Sequence, residues 1–137
     1  ISDRRSVPVA ALRPRLPRLR RVVLVLGDYN NKLPALWDKR DLFNALYGEP
    51  PMYVVTPGNW PQFRARVFAS YRVAEPVSRL TSQSEMTGHR ILTADRAVQQ
   101  TAFDNDVRVT VNFGAKDFIM SDGFVLKAGA SRIEGAK

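Results

Sequence analysis

The sequence predicts an α+β chain: a strand, loop and helix region followed by an all-β region. Two patterns carry this reading. Leu42, Phe43, Leu46 and Tyr47, and then Trp60, Phe63, Val67 and Tyr71, recur at helical spacing, whereas Val107, Val109, Val111 and Phe113 alternate with Arg108, Thr110 and Asn112 at the period of a strand. Length bounds the result: 137 residues, 45% of them hydrophobic, suit one small domain or a piece of a larger protein. A complete (β/α)8 enzyme needs about 250 residues.

The chain contains no cysteine, which excludes a disulfide scaffold, a thiol nucleophile and a thiolate metal site. The longest apolar run, Val22 to Leu26, falls far short of the ~18 residues of a membrane span. No membrane partner is expected.

Charge is uneven. Residues 1–27 hold seven arginines, no lysine, one acid and no aromatic residue, and so carry +6 of the net +8, while the other 110 residues carry +2. The high isoelectric point therefore describes the first segment and not the body of the chain. Three readings compete for residues 1–26. A basic arm on phosphates would release counterions, but Pro8, Pro14 and Pro17 break any helix and no ring is present to stack on a base. A transit peptide would be Arg-rich and acid-poor, but also rich in serine, and Ser2 and Ser6 are the only serines up to Gly27. The third reading, which we favour, is a frameshift. With suitable codons for Arg15 to Leu26, reading one base later gives Asp-Tyr-His-Asp-Cys-Val-Val-Ser-Tyr-Trp-Tyr-Trp, which rejoins the printed frame at Gly27. It accounts together for the arginine bias, the missing aromatics and the abrupt change.

The body reads in order. Gly27, Asp28, Asn30 and Asn31 form a loop through their tolerance of turn geometry, and Pro34 ends it. A helix over 38–47 follows, with Asp38 as cap and Gly48, Pro50 and Pro51 as the stop. Met52 to Val55 is expected as a short buried strand. A second helix starts near Trp60, with Asn59 as cap, Pro61 in the first turn and the Trp60 stripe inward; Pro76 should interrupt it. Asp104-Asn105-Asp106 pairs strand 98–103 with strand 107–113, and one face of the latter should meet water. Ser121-Asp122-Gly123 turns between 118–120 and 124–126, and a last strand covers 130–134. Four or five short antiparallel strands make half of a β-sandwich, with exposed edges and an uncovered face. The boundaries are 1–26, 27–96 and 97–137.

Chemistry is sparse. No glycine spacing suits a phosphate loop. His89, the only imidazole, could serve a triad only beside Ser82 or Ser84 with Glu85 behind it, and the plain alternative is a partly buried histidine near a helix–loop junction. One histidine with scattered carboxylates does not make a metal site, and no cofactor is expected. Asp38 and Asp41, spaced i, i+3, read as solvent-facing helix N-terminal residues and not as an acid/base pair. Arg64, Arg66 and Arg72 read as a solvated helix face. The densest polar cluster beside aromatics is Asp28-Tyr29-Asn30-Asn31-Lys32 with Trp37 nearby. It follows an apolar stretch, at the end of a strand where barrel enzymes keep their sites. Asp28, Asn30, Asn31 and Trp37 are thus candidate sugar contacts, hydroxyls pairing with the polar groups while the ring stacks on the sugar. A capping and turn loop is the alternative.

Three segments carry a family resemblance: GDYNNKLPALWDKRDLFNALYGEPPMYVV, SEMTGHRILTADRAVQQTAFDNDVRVTVNFG and MSDGFVLKAG. Together they resemble the C-terminal part of large glycoside hydrolases related to the endo-α-N-acetylgalactosaminidases, over about residues 27–134. The resemblance implies the end of a (β/α)8 barrel (strand, loop, helices) followed by an incomplete antiparallel β-sandwich. It also implies a carbohydrate substrate in the parent enzyme, with the nucleophilic and acid/base carboxylates upstream, so that this chain alone is inactive. The Arg-rich segment departs from the family; the shifted-frame peptide fits it better. The rival is a small intact α+β module that binds nucleic acid or another polyanion through its arm.

Overall fold

The computed structural model describes residues 36–135. The Arg-rich segment, the Val22 to Leu26 run and the loop bearing Asp28, Asn30 and Asn31 lie outside the described residues.

Helix α1 spans Trp37–Tyr47 and stops at Gly48, whose φ of 71° is left-handed. The Gly48 and Glu49 amides donate to the Ala45 and Asn44 carbonyls, so the last turn closes on itself. The start differs from expectation. Leu36 occupies the cap position without a side-chain cap hydrogen bond, because Asp38 is drawn to Arg66, 2.9 Å away.

Residues 52–55 form no strand. Met52, Val54 and Val55 are exposed, and the Val54 carbonyl accepts the Asn59 side-chain amide at 3.1 Å in place of a ladder bond. Apolar character without a neighbouring strand to pair with does not make a strand. Asn59 also accepts the Thr56 amide on Oδ1 at 2.8 Å, so it braces this loop and makes no side-chain cap bond to the next helix.

Helix α2 runs unbroken over Trp60–Thr81, with Pro61 in its first turn and Pro76 inside it. Proline at Pro76 removes one backbone donor and costs about 3 kcal/mol in an isolated helix. Burial of Ala74, Val77 and Thr81 on both sides of it holds the last turns in place, and the Thr81 hydroxyl returns to the Val77 carbonyl at 2.8 Å. The inward face is rotated from the expected stripe. Trp60 is 37% and Tyr71 54% exposed, while the buried row is Ser70, Ala74, Val77 and Thr81. That row is small and partly polar, which a search for large apolar residues does not detect.

Six strands follow: β1 Met86–Ile91, β2 Val98–Phe103, β3 Arg108–Asn112, β4 Phe118–Ile119, β5 Val125–Leu126 and β6 Ser131–Glu134. Strand β1 was not expected. Its exposed, polar-rich residues, with a register irregularity between Met86 and Gly88, carry neither period strongly. The other strands and both hairpins lie where the sequence places them. Turn chemistry fixes each: Asp106 at φ 66° between β2 and β3, Gly123 at φ 83° between β4 and β5.

Strands β1, β2, β3 and β6 form an antiparallel four-stranded sheet in that order, and β4 pairs with β5 in a separate hairpin. Odd-numbered residues of β2 and β3 face the helices: Phe103, Val109 and Val111, with Val107 beside them, close one core with Leu42, Ala45, Leu46 and Val77. The opposite face is covered as well. Val98 packs with Met120 and Leu126 of the hairpin, and Thr110 and Asn112 are buried there. The Asn112 amide holds the hairpin by donating to the Lys116 carbonyl at 2.8 Å and the Leu126 carbonyl at 3.2 Å.

This architecture overturns the expected end of a (β/α)8 barrel followed by an incomplete β-sandwich. The described residues form a small α+β domain with a four-stranded and a two-stranded sheet, neither closed. All their strand pairings are antiparallel. The helices occupy the sheet face that a second sheet would cover in a sandwich, and the boundary placed at 96/97 falls in the turn of the β1–β2 hairpin. The face of β3 expected to meet water lies under the hairpin.

Candidate functional site

Among the candidate sugar contacts, Trp37 is the one within the described residues. It opens α1 and is 2% exposed. Its ring packs against Phe63 at 5.4 Å and Tyr53 at 6.4 Å, with the Arg66 guanidinium 5.7 Å from its centre. It is a packed ring rather than an open stacking face.

Beside it lies a polar cluster that the sequence reading missed. Asp38 and Asp41 stand one turn apart on α1, and Arg66 and Ser70 one turn apart on α2, so the two pairs meet where the helices pack. The Arg66 Nη2 donates to Asp41 Oδ2 at 2.7 Å and to Asp38 Oδ1 at 2.9 Å, and the Ser70 hydroxyl donates to Asp41 Oδ2 at 2.9 Å. Asp41 is therefore not solvent-facing: it is 2% exposed, while the Asp38 side chain keeps 86% exposure. Burial raises the pKa of the Tyr53 phenol, Ser70 opposes this through a hydrogen bond, and Asp41 adds to the rise. Leu42, Ala45 and Leu46 pointed to the buried side of α1, and Asp41 precedes Ala45 by one turn on that side. That placement was the available signal.

Both carboxylates pair with one guanidinium and the inner one, Asp41, is buried, so the cluster reads as a tie between two helices and not as an acid/base pair flanking a substrate.

The remaining candidates separate. His89 lies on β1, exposed, and not at a helix–loop junction; its Nε2 pairs with Gln99 Oε1 at 2.9 Å. Ser82 donates to the Arg79 carbonyl at 3.2 Å, and the Glu85 amide donates to Asp104 at 3.0 Å. No triad is assembled from them. Arg64 and Arg72 are exposed, and Arg66 is tied into the cluster. Among the described residues no group of three or more His, Asp or Glu is placed to hold a metal ion, and no helix is long and apolar enough to cross a membrane.

No protein-family model and no curated protein sequence matches this chain.

Proposed function

We propose that this chain is the C-terminal, non-catalytic part of a glycoside hydrolase acting on oligosaccharides or glycoconjugates. The three segments that resemble the endo-α-N-acetylgalactosaminidase relatives support the reading. The structural observation that carries it is the outer face of α2, where Trp60, Phe68 and Tyr71 are exposed together with Met52, Val54 and Val55 in the preceding loop. Large exposed rings grouped in this way suit a contact surface, and in this reading the rest of the enzyme covers it. The shared guanidinium between Asp38 and Asp41 is consistent with catalytic carboxylates elsewhere in the enzyme. Asp28, Asn30 and Asn31 are proposed as substrate-side contacts on sequence grounds, with Trp37 as a packed neighbour.

The gene tests this. Reading upstream of the Gly27 codon in all three frames should reveal a long open frame that joins at Gly27 after a one-base shift. A start codon close to Ile1, with the printed frame intact and salt-sensitive nucleic-acid binding by the chain, would replace this reading with the basic-arm module.

A further inference from the structure

We infer that a row of four rings, Phe113, Phe43, Tyr47 and His89, forms a carbohydrate-binding surface on this domain, with His89 and Gln99 as its polar contacts. The choice of a sugar as ligand rests on the glycosidase reading above.

The row follows from the packing of α1. Leu42, Ala45 and Leu46 enter the core, and Phe43 and Tyr47, one turn apart, stay half-buried on the flank of the helix, with Tyr47 and Phe113 resting one edge of the row against that core. Phe43 meets Phe113 at 4.6 Å between ring centres. It lies 6.4 Å from Tyr47 with the two planes within 3° of parallel. Tyr47 in turn lies 6.1 Å from His89. The sheet register explains the last contact. His89 pairs with Thr101 across the β1–β2 ladder, and the Thr101 hydroxyl donates to the Leu46 carbonyl at 2.6 Å. His89 therefore stands on the helix-facing side of the sheet, beyond the edge of α1.

Gln99 shares that face, two residues from Thr101. Its Nε2 donates to the Arg96 carbonyl at 3.0 Å, which turns Oε1 toward His89 Nε2 at 2.9 Å. With Oε1 as acceptor, His89 carries its proton on Nε2 and, in the neutral ring, presents the Nδ1 lone pair as an acceptor. The row thus combines half-buried aromatic rings with an oriented acceptor and includes no carboxylate, ammonium or guanidinium. Rings that stack on apolar C–H faces beside neutral polar groups suit an uncharged polyhydroxylated ring, and not a phosphate or nucleic acid.

The test uses the full 137-residue chain, whose single histidine gives one set of imidazole signals in a proton NMR spectrum. Titration with methyl α-glycosides of galactose, N-acetylgalactosamine and glucose should shift the His89 signals saturably for at least one sugar, at the weak, about millimolar affinity of a monosaccharide-sized ligand. By saturation-transfer NMR, His89→Ala, at an exposed position, should weaken that binding about fivefold, as loss of one hydrogen bond does. Tyr47→Leu should weaken it comparably, and Trp60→Ala should leave it unchanged. Unmoved His89 signals for all three sugars, or binding indifferent to both row variants, would overturn the inference. A parent polypeptide that hydrolyses glycosides while His89 stays silent would sink the row alone; a His89 response without an upstream hydrolase frame would sink the enzyme reading alone.

Discussion

Helix α1 is held on two sides by different physics. Toward the sheet it presents Leu42, Ala45 and Leu46 to Val109 and Val111 in a dry apolar seam. Toward α2 it presents Asp41 to Arg66 and Ser70 in a hydrogen-bonded, charged seam. The apolar seam draws on non-directional burial and tolerates rearrangement within its volume. The charged seam depends on geometry, because a buried charge that loses its partner is strongly destabilising even where the intact pair adds little. The apolar seam also takes in Val77 of α2, so it supplies stability to both contacts, and the charged seam adds a directional constraint on how α2 lies on α1.

Substitutions separate the two. Leu46→Ala should have the largest effect, about 2–5 kcal/mol of unfolding free energy in a urea titration, because the side chain is fully buried and leaves a cavity. Arg66→Met should cost less, about 1–3 kcal/mol; the ~3–5 kcal/mol of a broken buried pair is discounted for the 28% exposure of Arg66. Asp38→Asn, which cuts the exposed arm of the same guanidinium, should change stability by no more than about 0.5 kcal/mol. Equal losses for Arg66→Met and Asp38→Asn would deny the charged seam its buried character.

Gly48→Ala probes the joint between the seams. An added Cβ there would run into the Thr81 hydroxyl and approach Phe103, at a left-handed φ of 71°, so thermal unfolding should report a loss of about 1–2 kcal/mol from the backbone conformation alone. Far from both seams, the pKa of Asp122 is lowered by its Arg132 side-chain hydrogen bond, then by the Phe124 amide. A depressed carboxylate contributes stability above its unfolded pKa, near 3.9, and loses it as pH falls through the folded value. Acid titration of Asp122→Asn should therefore show a slightly shallower loss of stability below about pH 4 than the parent chain. An identical curve would show that this surface pair has no role in stability.

The same division explains what the sequence disclosed. Both helices, the β2–β3 hairpin, the β4–β5 hairpin and β6 follow from local signals: helical recurrence of Leu42 and Leu46, strand alternation from Val107, and the turn residues Asp106 and Gly123. Strand β1 leaves no alternation in the sequence because most of its residues are exposed and Met86, at its start, is the one that packs against the core. Residues 52–55 misled in the opposite sense, apolar but without a ladder partner. The fold class failed for a tertiary reason. Which layer covers the β3 face is decided by α1 and by the hairpin that Asn112 anchors, and neither contact leaves a period in the sequence. Of the site, Trp37 stands out in the sequence as a candidate sugar contact, but its enclosure by Phe63 and Arg66 depends on residues 26 and 29 positions away, which no local pattern discloses.

The proposal that this domain is the non-catalytic end of a larger glycosidase meets its most direct test in hydrolysis. The 137-residue chain and the polypeptide encoded by the upstream frame joined at Gly27 would be assayed side by side on 4-nitrophenyl α- and β-glycosides, with release of nitrophenol as the readout. The account predicts turnover by the joined polypeptide and none by the chain alone. Turnover by the isolated chain, or none by either on any glycoside, would contradict it.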